Sequence, residues 1–378
     1  MGKDNLTLWI IEIIIAWVIL FAVQIPIRKM GRNVVSLIVF VVKVLLIPIT
    51  AMMFFTFTTG FGYRHGDIIV AVYIALIADV AASIIEFVIR LIKQRKNREE
   101  RMSCQILLLG IISAVCLTAY FMYGYKNGTT VHMKQHFWKI DGITKSHTFA
   151  FVSDIHADSD IALKQLEDLC RQINEADPEF VILGGDTTDD LSTHDEMTEA
   201  YRLLSEINAP VYFIYGNHDR QPDADLVGGR GYTDSELVET IKNAGIVILK
   251  DEYVKVNDDI VLLDREDMSV EDQRADYSSL VNPYEGEGAL IVVDHQPHDK
   301  EQLAEENAAL QLSGHVHAGQ IWPLRFLCLF KGMASYGEYE EQNTLMYVSA
   351  GECNWMLPFR TEARCEWDLI TVKAALAP

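Results

Sequence analysis

The first third of the chain contains four apolar runs, each about as long as a membrane span. They cover residues 6–25, 34–57, 68–92 and 104–123. An α-helix rises about 1.5 Å per residue, so roughly twenty residues cross about 30 Å of hydrocarbon. A buried soluble bundle would use shorter, amphipathic helices. The pattern therefore predicts four transmembrane helices within residues 1–123. The first run has no small-residue cleavage site and is expected to remain as an anchor.

Positive charge in the loops between these runs predicts their orientation. Arg28, Lys29 and Arg32 lie in the first loop, and the third loop, 93–101, holds five basic residues. The second loop has one. Loops rich in Lys and Arg stay in the cytoplasm. We therefore expect a multi-pass protein of the cell membrane whose residues after Tyr123 lie on the extracytoplasmic side.

Two opposite charges are predicted near the middle of the membrane. Lys43 lies within the second run and Asp79 within the third. An uncompensated charge at that depth is costly, so such residues usually pair or line a pathway. An interhelical ion pair between Lys43 and Asp79 is the favoured interpretation, and an ion or proton pathway is the alternative.

The composition changes sharply after the fourth run. Residues 1–125 carry a net charge of +5, whereas residues 126–378 carry −26. So acidic a surface repels a phosphate backbone, which argues against nucleic acid as a partner. Residues 124–146 are polar and mixed, and predict a linker with one strand near 130–137. From 147 to 378, strand-length apolar runs alternate with helix-like stretches, which is typical of an α/β domain.

Side chains that can bind metals follow five of the predicted strands. The motifs are Asp154-Ile155-His156, Gly185-Asp186 with Asp189, Gly216-Asn217-His218-Asp219, a strand-end His295, and Gly314-His315-Val316-His317. In open α/β sheets, ligands bind in the crevice at the carboxyl ends of the strands. Imidazole and carboxylate suit Mn, Fe or Zn, and an Asp can bridge two such ions. Two ions about 3.5 to 4 Å apart can bind a phosphate oxygen and lower the pKa of a water.

With this ordered set, the sequence resembles the calcineurin-like metallophosphoesterase superfamily from about Phe149 to the C-terminus. The stretches Ser313–Gln320, Tyr347–Gly351 and Pro358–Arg360 are most similar to a bacterial branch of membrane-associated predicted phosphoesterases. The resemblance implies a four-layer α/β/β/α sandwich, with two divalent metal ions at the strand ends. Ala318 departs from the pattern, because relatives commonly have glycine there.

The resemblance also implies roles for the motif residues. Seven would be metal ligands: Asp154, His156 and His317 on the first ion, Asn217, His295 and His315 on the second, and Asp186 bridging both. His218 would not be a ligand. It would protonate the leaving group of a phosphate ester that a metal-activated hydroxide attacks. Asp189 and Asp219 are expected to orient His218 or a metal-bound His by hydrogen bonds, and the alternative is that they are solvated surface carboxylates.

Two classes of function remain open at this point. The favoured one is a membrane-anchored, outward-facing phosphohydrolase with two divalent ions, acting on a mono- or diester that is either soluble or lipid-linked. The alternative is a non-catalytic sensor or transporter accessory that uses a phosphoesterase-like domain only to bind. A binding module needs no proton donor beside the metals, so His218 favours the enzyme.

Two further features leave alternatives open. Cys353 and Cys365 are close enough in sequence for a disulfide in an exported domain, and buried free thiols explain them equally well. The segment 320–339 is rich in large apolar residues and directly follows the last metal motif. We expect it to pack as core, and the alternative is a lipid-facing lip of the site. Three nearby basic residues would supply positive charge for a phosphate group: Arg325, Lys331 and Arg360.

Overall fold

The computed structural model describes most of the chain in ten ranges: residues 6–29, 33–56, 61–92, 100–221, 231–281, 288–298, 300–305, 308–330, 332–342 and 344–374. These residues divide into two compact units. The first comprises residues 3–126 together with 322–324, and the second comprises residues 127–321 together with 325–378.

The first unit is built from four helices: α1 (Leu6–Lys29), α2 (Asn33–Thr56), α3 (Phe61–Ile92) and α4 (Glu100–Gly128). Both α1 and α2 pack against α3, which is the most buried of the apolar helices. Three stretches are long and apolar enough to cross a membrane, at 7–26, 68–88 and 108–128, whereas the apolar stretch described in α2 is shorter, at 37–50. Three spans are therefore supported, and the predicted fourth span is not clearly present. Arg32 and most of the third loop, which predict the orientation, lie outside the described residues.

Buried polar side chains join the helices of this unit. The Nζ atom of Lys43, on α2, lies 2.6 Å from Oδ2 of Asp79, on α3. Gln24, on α1, donates a hydrogen bond to the other oxygen of the same carboxylate. The structure thus contains the predicted interhelical ion pair, and Asp79 is the point at which polar groups from three helices meet.

The second unit contains two six-stranded sheets. The strand order of the first is β1 (His132–Ile140), β12 (Glu366–Ala374), β2 (His147–Val152), β3 (Val181–Gly184), β4 (Val211–Ile214) and β5 (Val247–Ile248). The order of the second is β10 (Gly337–Glu341), β11 (Thr344–Val348), β9 (Leu310–Ser313), β8 (Ala289–Val293), β7 (Ile260–Asp264) and β6 (Tyr253–Lys255). Strands β2, β3 and β4 run parallel, as do β7, β8, β9 and β11. Each sheet therefore has several carboxyl ends at one edge.

The side chains of β2 show how the first sheet is buried. Phe149 and Phe151 belong to a cluster that contains side chains from both sheets, whereas Ala150 and Val152 belong to a different cluster. Successive residues of a strand point to opposite faces, so a strand covered on both faces is apolar throughout. This explains the uninterrupted apolar run that precedes Asp154.

Helices supply the remaining buried surface of this unit. On the first sheet these are α5 (Asp160–Ala176), α6 (His194–Leu204) and α8 (Asp234–Asn243), and on the second α9 (Tyr277–Val281) and α10 (Lys300–Glu305). The shorter α7 (Asn217–Arg220) and α11 (Leu324–Phe330) lie near the strand ends in sequence. Thr193 and Thr233 precede α6 and α8 and form capping boxes. In each, the Thr hydroxyl accepts a hydrogen bond from the backbone N–H of the Glu three residues later, and the side chain of that Glu accepts from the backbone N–H of the Thr.

Two sequence-based interpretations are refined by this fold. Residues 124–146, expected to be a linker with one strand, contain the end of α4 and the nine-residue strand β1. That strand pairs in parallel with β12 along its whole length. Cys353 and Cys365 are both buried thiols, whose Sγ atoms face the side-chain oxygens of Gln165 and Asn354, and the structure does not join them in a disulfide.

Candidate active site

The motif residues all follow strand ends. Asp154 and His156 follow β2, Asp186 follows β3, Asn217, His218 and Asp219 follow β4, His295 follows β8, and His315 and His317 follow β9. The backbone N–H of His315 donates to both carboxylate oxygens of Asp154, at 3.0 and 3.1 Å. Because these two residues follow strands of different sheets, the contact joins the strand ends of both sheets into one site.

Asp154, His156 and His317 form one group of potential ligands. One side-chain N or O atom from each lies within 4.8 Å of the others. The Nε2 atoms of His156 and His317 are 3.1 Å apart, and Nε2 of His317 is 3.4 Å from Oδ1 of Asp154. All three residues are buried. Two imidazole nitrogens that face each other beside a carboxylate are suited to hold a divalent cation.

Asp186, His295 and His315 form a second group. Oδ2 of Asp186 lies 2.9 Å from Nε2 of His295, and the same oxygen lies 3.9 Å from Nε2 of His156 in the first group. One carboxylate thus faces both groups, which is the position that a bridging ligand requires.

The environment of the Asn217 amide oxygen indicates whether these potential ligands suit a cation. Oδ1 of Asn217 is buried and accepts no hydrogen bond from any described residue. A buried oxygen without a partner costs free energy unless a cation or water satisfies it. Its location directly after β4, beside Asp186 and His218, fits the second metal. The residues present therefore suit two divalent ions.

The backbone at this site adopts a conformation that ordinary residues avoid. Five of the potential ligands have positive φ: Asp154 (58°), His156 (45°), Asp186 (54°), His315 (69°) and His317 (49°). Ala318 is also left-handed, with φ of 52°. Such strain persists only where the surroundings fix the backbone, and it clusters at functional sites. Here the N–H groups of Asp154 and His156 bond to the carbonyls of Gly185 and Asp186.

Two glycines allow the loops to approach this closely. A Cβ atom on Gly314 would lie 1.9 Å from Oγ of Ser153, and one on Gly216 would lie 2.2 Å from Oδ1 of Asp186. Both neighbours are side-chain atoms that are already fixed: Oγ of Ser153 donates to Oδ2 of Asp154, and Oδ1 of Asp186 accepts from the N–H of His218. Any larger residue at these positions would displace a potential ligand.

The two predicted supporting carboxylates have different roles. Oδ2 of Asp189 lies 2.8 Å from Nδ1 of His156, where it orients a potential ligand. Asp219 contacts no histidine among its hydrogen bonds. It accepts instead from the backbone N–H groups of Gly216 (3.0 Å) and Thr188 (2.9 Å), and so fixes the loops that carry Asn217 and Asp186. The alternative that they are solvated surface carboxylates does not hold, because both are buried.

Sequence reasoning missed two contacts. Oδ2 of Asp190, not of Asp189, lies 3.1 Å from Nδ1 of His218. Arg360 is fully buried, and its guanidinium donates to Nδ1 of His317 (2.9 Å) and to the carbonyl of Ala350 (2.5 Å). Arg360 therefore supports a ligand loop and is not free to bind phosphate. The Asp189-Asp190 doublet was a signal for the first contact, and nothing in the sequence indicates the second.

Mutual charge shifts the pKa values of the site. Burial raises the pKa of Asp154, and the nearby charge of Asp186 adds to this. Burial also opposes ionisation of Asp186, but His295 and His218 outweigh it and hold that pKa well below its usual range. Burial likewise disfavours the charged form of His218, yet Asp186, Asp189 and Asp190 together raise its pKa well above 6.5. The site thus concentrates negative charge where cations are expected.

Two mixed α/β sheets with Asp, His and Asn side chains gathered at their strand ends define a metal-dependent phosphoesterase. Residues 147–319 match the family model of the calcineurin-like phosphoesterase. Residues 147–319 therefore form a calcineurin-like phosphoesterase domain.

The curated relatives agree with this assignment. A transmembrane protein with metallophosphoesterase domain from Danio rerio is 26% identical over 76% of this chain and 68% of its own length. The metallophosphoesterase YkuE of Bacillus subtilis is 26% identical over 71% of this chain and 95% of its own length. Among solved structures, a dimetal phosphatase from Danio rerio is similar at a TM-score of 0.40 and 11% identity, over 55% of this chain and 88% of that chain.

Proposed function

We propose that this protein is a membrane-anchored phosphohydrolase whose catalytic domain faces outward and cleaves a phosphate mono- or diester with two divalent ions, Mn, Fe or Zn. The observation that carries this proposal is the position of Asp186. Its Oδ2 atom lies against His295 of one ligand group and His156 of the other. A single metal site would not need a carboxylate shared in this way.

Each group would hold one ion. Asp154, His156 and His317 would hold the first, Asn217, His295 and His315 the second, and Asp186 both. When bound, the two ions would hold phosphate oxygens and lower the pKa of a water molecule. Asp189 would keep Nδ1 of His156 turned away from the ion, so that Nε2 faces it.

His218 is the proposed proton donor. Its ring centroid lies 5.0 Å from that of His156, and the side chain is partly exposed, so it borders the first ligand group. His218 also lies close to His156 and Asp189 in a third group of potential ligands, but there Asp189 already contacts Nδ1 of His156. Asp190 faces Nδ1, which leaves Nε2 for the substrate. In hydrolysis, the water oxygen bonds to phosphorus and the ester P–O bond breaks. The bonding pair stays on the leaving oxygen, which takes the proton from Nε2 of His218, and the proton lost by water then restores His218.

The packing and charge support the wider proposal. One cluster is shared by the two sheets, and separate clusters contain the helices, which supports the four-layer α/β/β/α sandwich. We propose a transmembrane region at 1–123 and a phosphoesterase domain at 147–378, joined by residues 124–146. We also propose four spans, including α2, and a multi-pass location in the cell membrane. The net charge of −26 after residue 125 argues against a nucleic-acid partner.

Hydrolysis by the detergent-purified full chain tests this function. We expect Mn²⁺-dependent cleavage of an aryl phosphate or an aryl phosphodiester, loss with a chelator, and loss in Asp186→Asn. Asp195→Asn, which changes an exposed carboxylate on α6, is the matched control and should keep activity. A chain that binds two ions but cleaves no ester with Mn, Fe or Zn would instead support the non-catalytic sensor.

A further inference from the structure

A row of large apolar side chains is exposed directly after the metal motifs. We define the apolar lip as Trp322, Phe326, Leu329, Phe330 and Met333, whose exposed fractions run from 38 to 88%. Phe326, Leu329 and Phe330 lie on α11 at spacings of three and four, so they share one helix face. The expectation that this segment packs as core therefore holds for Ile321 and Leu324, which are buried, and fails for the five residues of the lip. So many exposed large apolar residues within one short segment are typical of an interaction surface.

The base of the lip is fixed beside the site. Gln320, three residues after His317, is fully buried, and its side chain donates to the carbonyl of Trp355 (3.0 Å) and accepts from the N–H of the same residue (3.2 Å). The N–H of Thr361 donates back to the carbonyl of Gln320 at 2.9 Å. Arg360, the residue before Thr361, donates a hydrogen bond to Nδ1 of His317. One rigid loop pair thus anchors both a potential ligand and the lip.

Several observations identify the occupant of this surface. Trp322–Leu324 belong to the same compact unit as the apolar helices, and within that unit the hydroxyl of Tyr73 donates to the carbonyl of Trp322. Tyr73 lies in the part of α3 that is apolar enough to cross a membrane. Trp residues favour the lipid–water interface, where an amphipathic ring can sit at the level of the headgroups.

We propose that the apolar lip lies in the lipid–water interface and that the substrate is a phosphate ester with a long acyl or alkyl chain, presented from the bilayer. This inference rests on the proposed phosphohydrolase function and names its substrate class. The lip would hold the acyl or alkyl chain in the interface, while the phosphate reaches the site, whose last potential ligand, His317, comes five residues before Trp322.

Paired substrates that differ only in chain length test the substrate class. The full chain in lipid nanodiscs with Mn²⁺ would be given butyl and dodecyl phosphate, and butyl and dodecyl 4-nitrophenyl phosphate. We expect kcat/KM for the dodecyl member of the cleaved pair to exceed that for the butyl member at least tenfold. Phe326→Ser with Phe330→Ser should reduce this ratio to about one while cleavage of the butyl ester is kept.

The control is Tyr253→Ser, which removes an aromatic side chain of comparable exposure, 47%, on the edge strand β6. It should leave the ratio unchanged. Equal rates for both chain lengths in the unaltered protein would overturn the lip proposal and leave the phosphohydrolase standing. No cleavage of either pair, nor of an aryl phosphate, would overturn the phosphohydrolase itself.

A probe of position tests the lip without activity. A nitroxide at Phe330→Cys, in a Cys328→Ser background, should be relaxed by oxygen more than by a water-soluble nickel chelate in nanodiscs, and one at Tyr253→Cys should show the reverse. Equal access of nickel to both labels would overturn the proposal. So would shielding of residue 330 that depends on protein concentration, since that would point to a second copy of the chain.

Discussion

The Nδ1 atom of His218 lies 3.1 Å from Oδ2 of Asp190, so a carboxylate faces one ring nitrogen of the proposed proton donor. Asp186 and Asp189 add negative charge nearby, and together these carboxylates overcome burial and raise the pKa of His218. A raised pKa favours the protonated imidazole, which is the state that a general acid needs before it acts.

Asp190→Asn should move the alkaline side of the pH–rate profile. Activity that needs protonated His218 is present below its pKa and falls as the pH rises through it. Because Asp190 raises that pKa, its neutralisation lowers it, and the alkaline limb should shift to lower pH. The measurement is kcat against pH for a 4-alkylphenyl ester. An alkaline limb that stays in place would show that another group sets it.

His218→Asn should slow turnover while both metals are kept. A positioned acid typically supplies about a hundred- to ten-thousand-fold, and the loss should be large for an alkyl ester, whose leaving oxygen needs a proton. A nitrophenolate departs readily as an anion, so His218→Asn should slow the hydrolysis of a nitrophenyl ester less. Equal losses for the two esters would indicate that His218 positions or charge-stabilises the phosphate instead.

Removal of the shared carboxylate should affect the metals more than removal of a ligand from one group. Asp186→Asn takes charge from both sites and should reduce the metal content to one ion or none. His156→Ala should mainly weaken the first ion. Elemental analysis after dialysis distinguishes the two. Two ions retained at full occupancy in Asp186→Asn would place the bridge elsewhere.

The orientation in the membrane can be tested with fusions. A reporter that is active only in the cytoplasm should stay silent when fused at Asn127, because the basic first and third loops are expected inside. The same reporter fused within the third loop should be active. Activity at Asn127 would reverse the orientation and place the phosphoesterase domain in the cytoplasm.

The ion pair between Lys43 and Asp79 predicts a non-additive effect on stability. Lys43→Met leaves the buried carboxylate of Asp79 without its cationic partner, which typically costs about 3–5 kcal/mol in protein interiors. Lys43→Met with Asp79→Leu removes both charges and should restore most of the thermal stability in detergent. If the single change costs nothing, the two residues serve a pathway rather than the packing of α2 and α3.

Local patterns predicted the parts of the site that follow strand ends. Asp154, Asp186 and Asn217 each come directly after an apolar run, and parallel strands bring such positions together. The support from Arg360 was not predictable, because its contact with His317 depends on how the last loop folds over β9.

Other features were misjudged because they depend on neighbours far along the chain. The strand β1 carries little apolar alternation, and its place in the sheet depends on β12, more than two hundred residues away. The segment that contains the lip was expected in the protein core because it is rich in large apolar residues. An apolar run gives no indication of whether protein or lipid covers it.

The left-handed backbone of the five potential ligands has an evolutionary consequence. Each such residue costs about 1–3 kcal/mol, a large share of the roughly 5–15 kcal/mol that stabilises a typical domain. Glycine at any of these positions would relax the backbone but remove the donor atom. Selection for stability alone would therefore erase these side chains one at a time. Bound ions recover part of that cost, so cells short of metal should accumulate less of this protein.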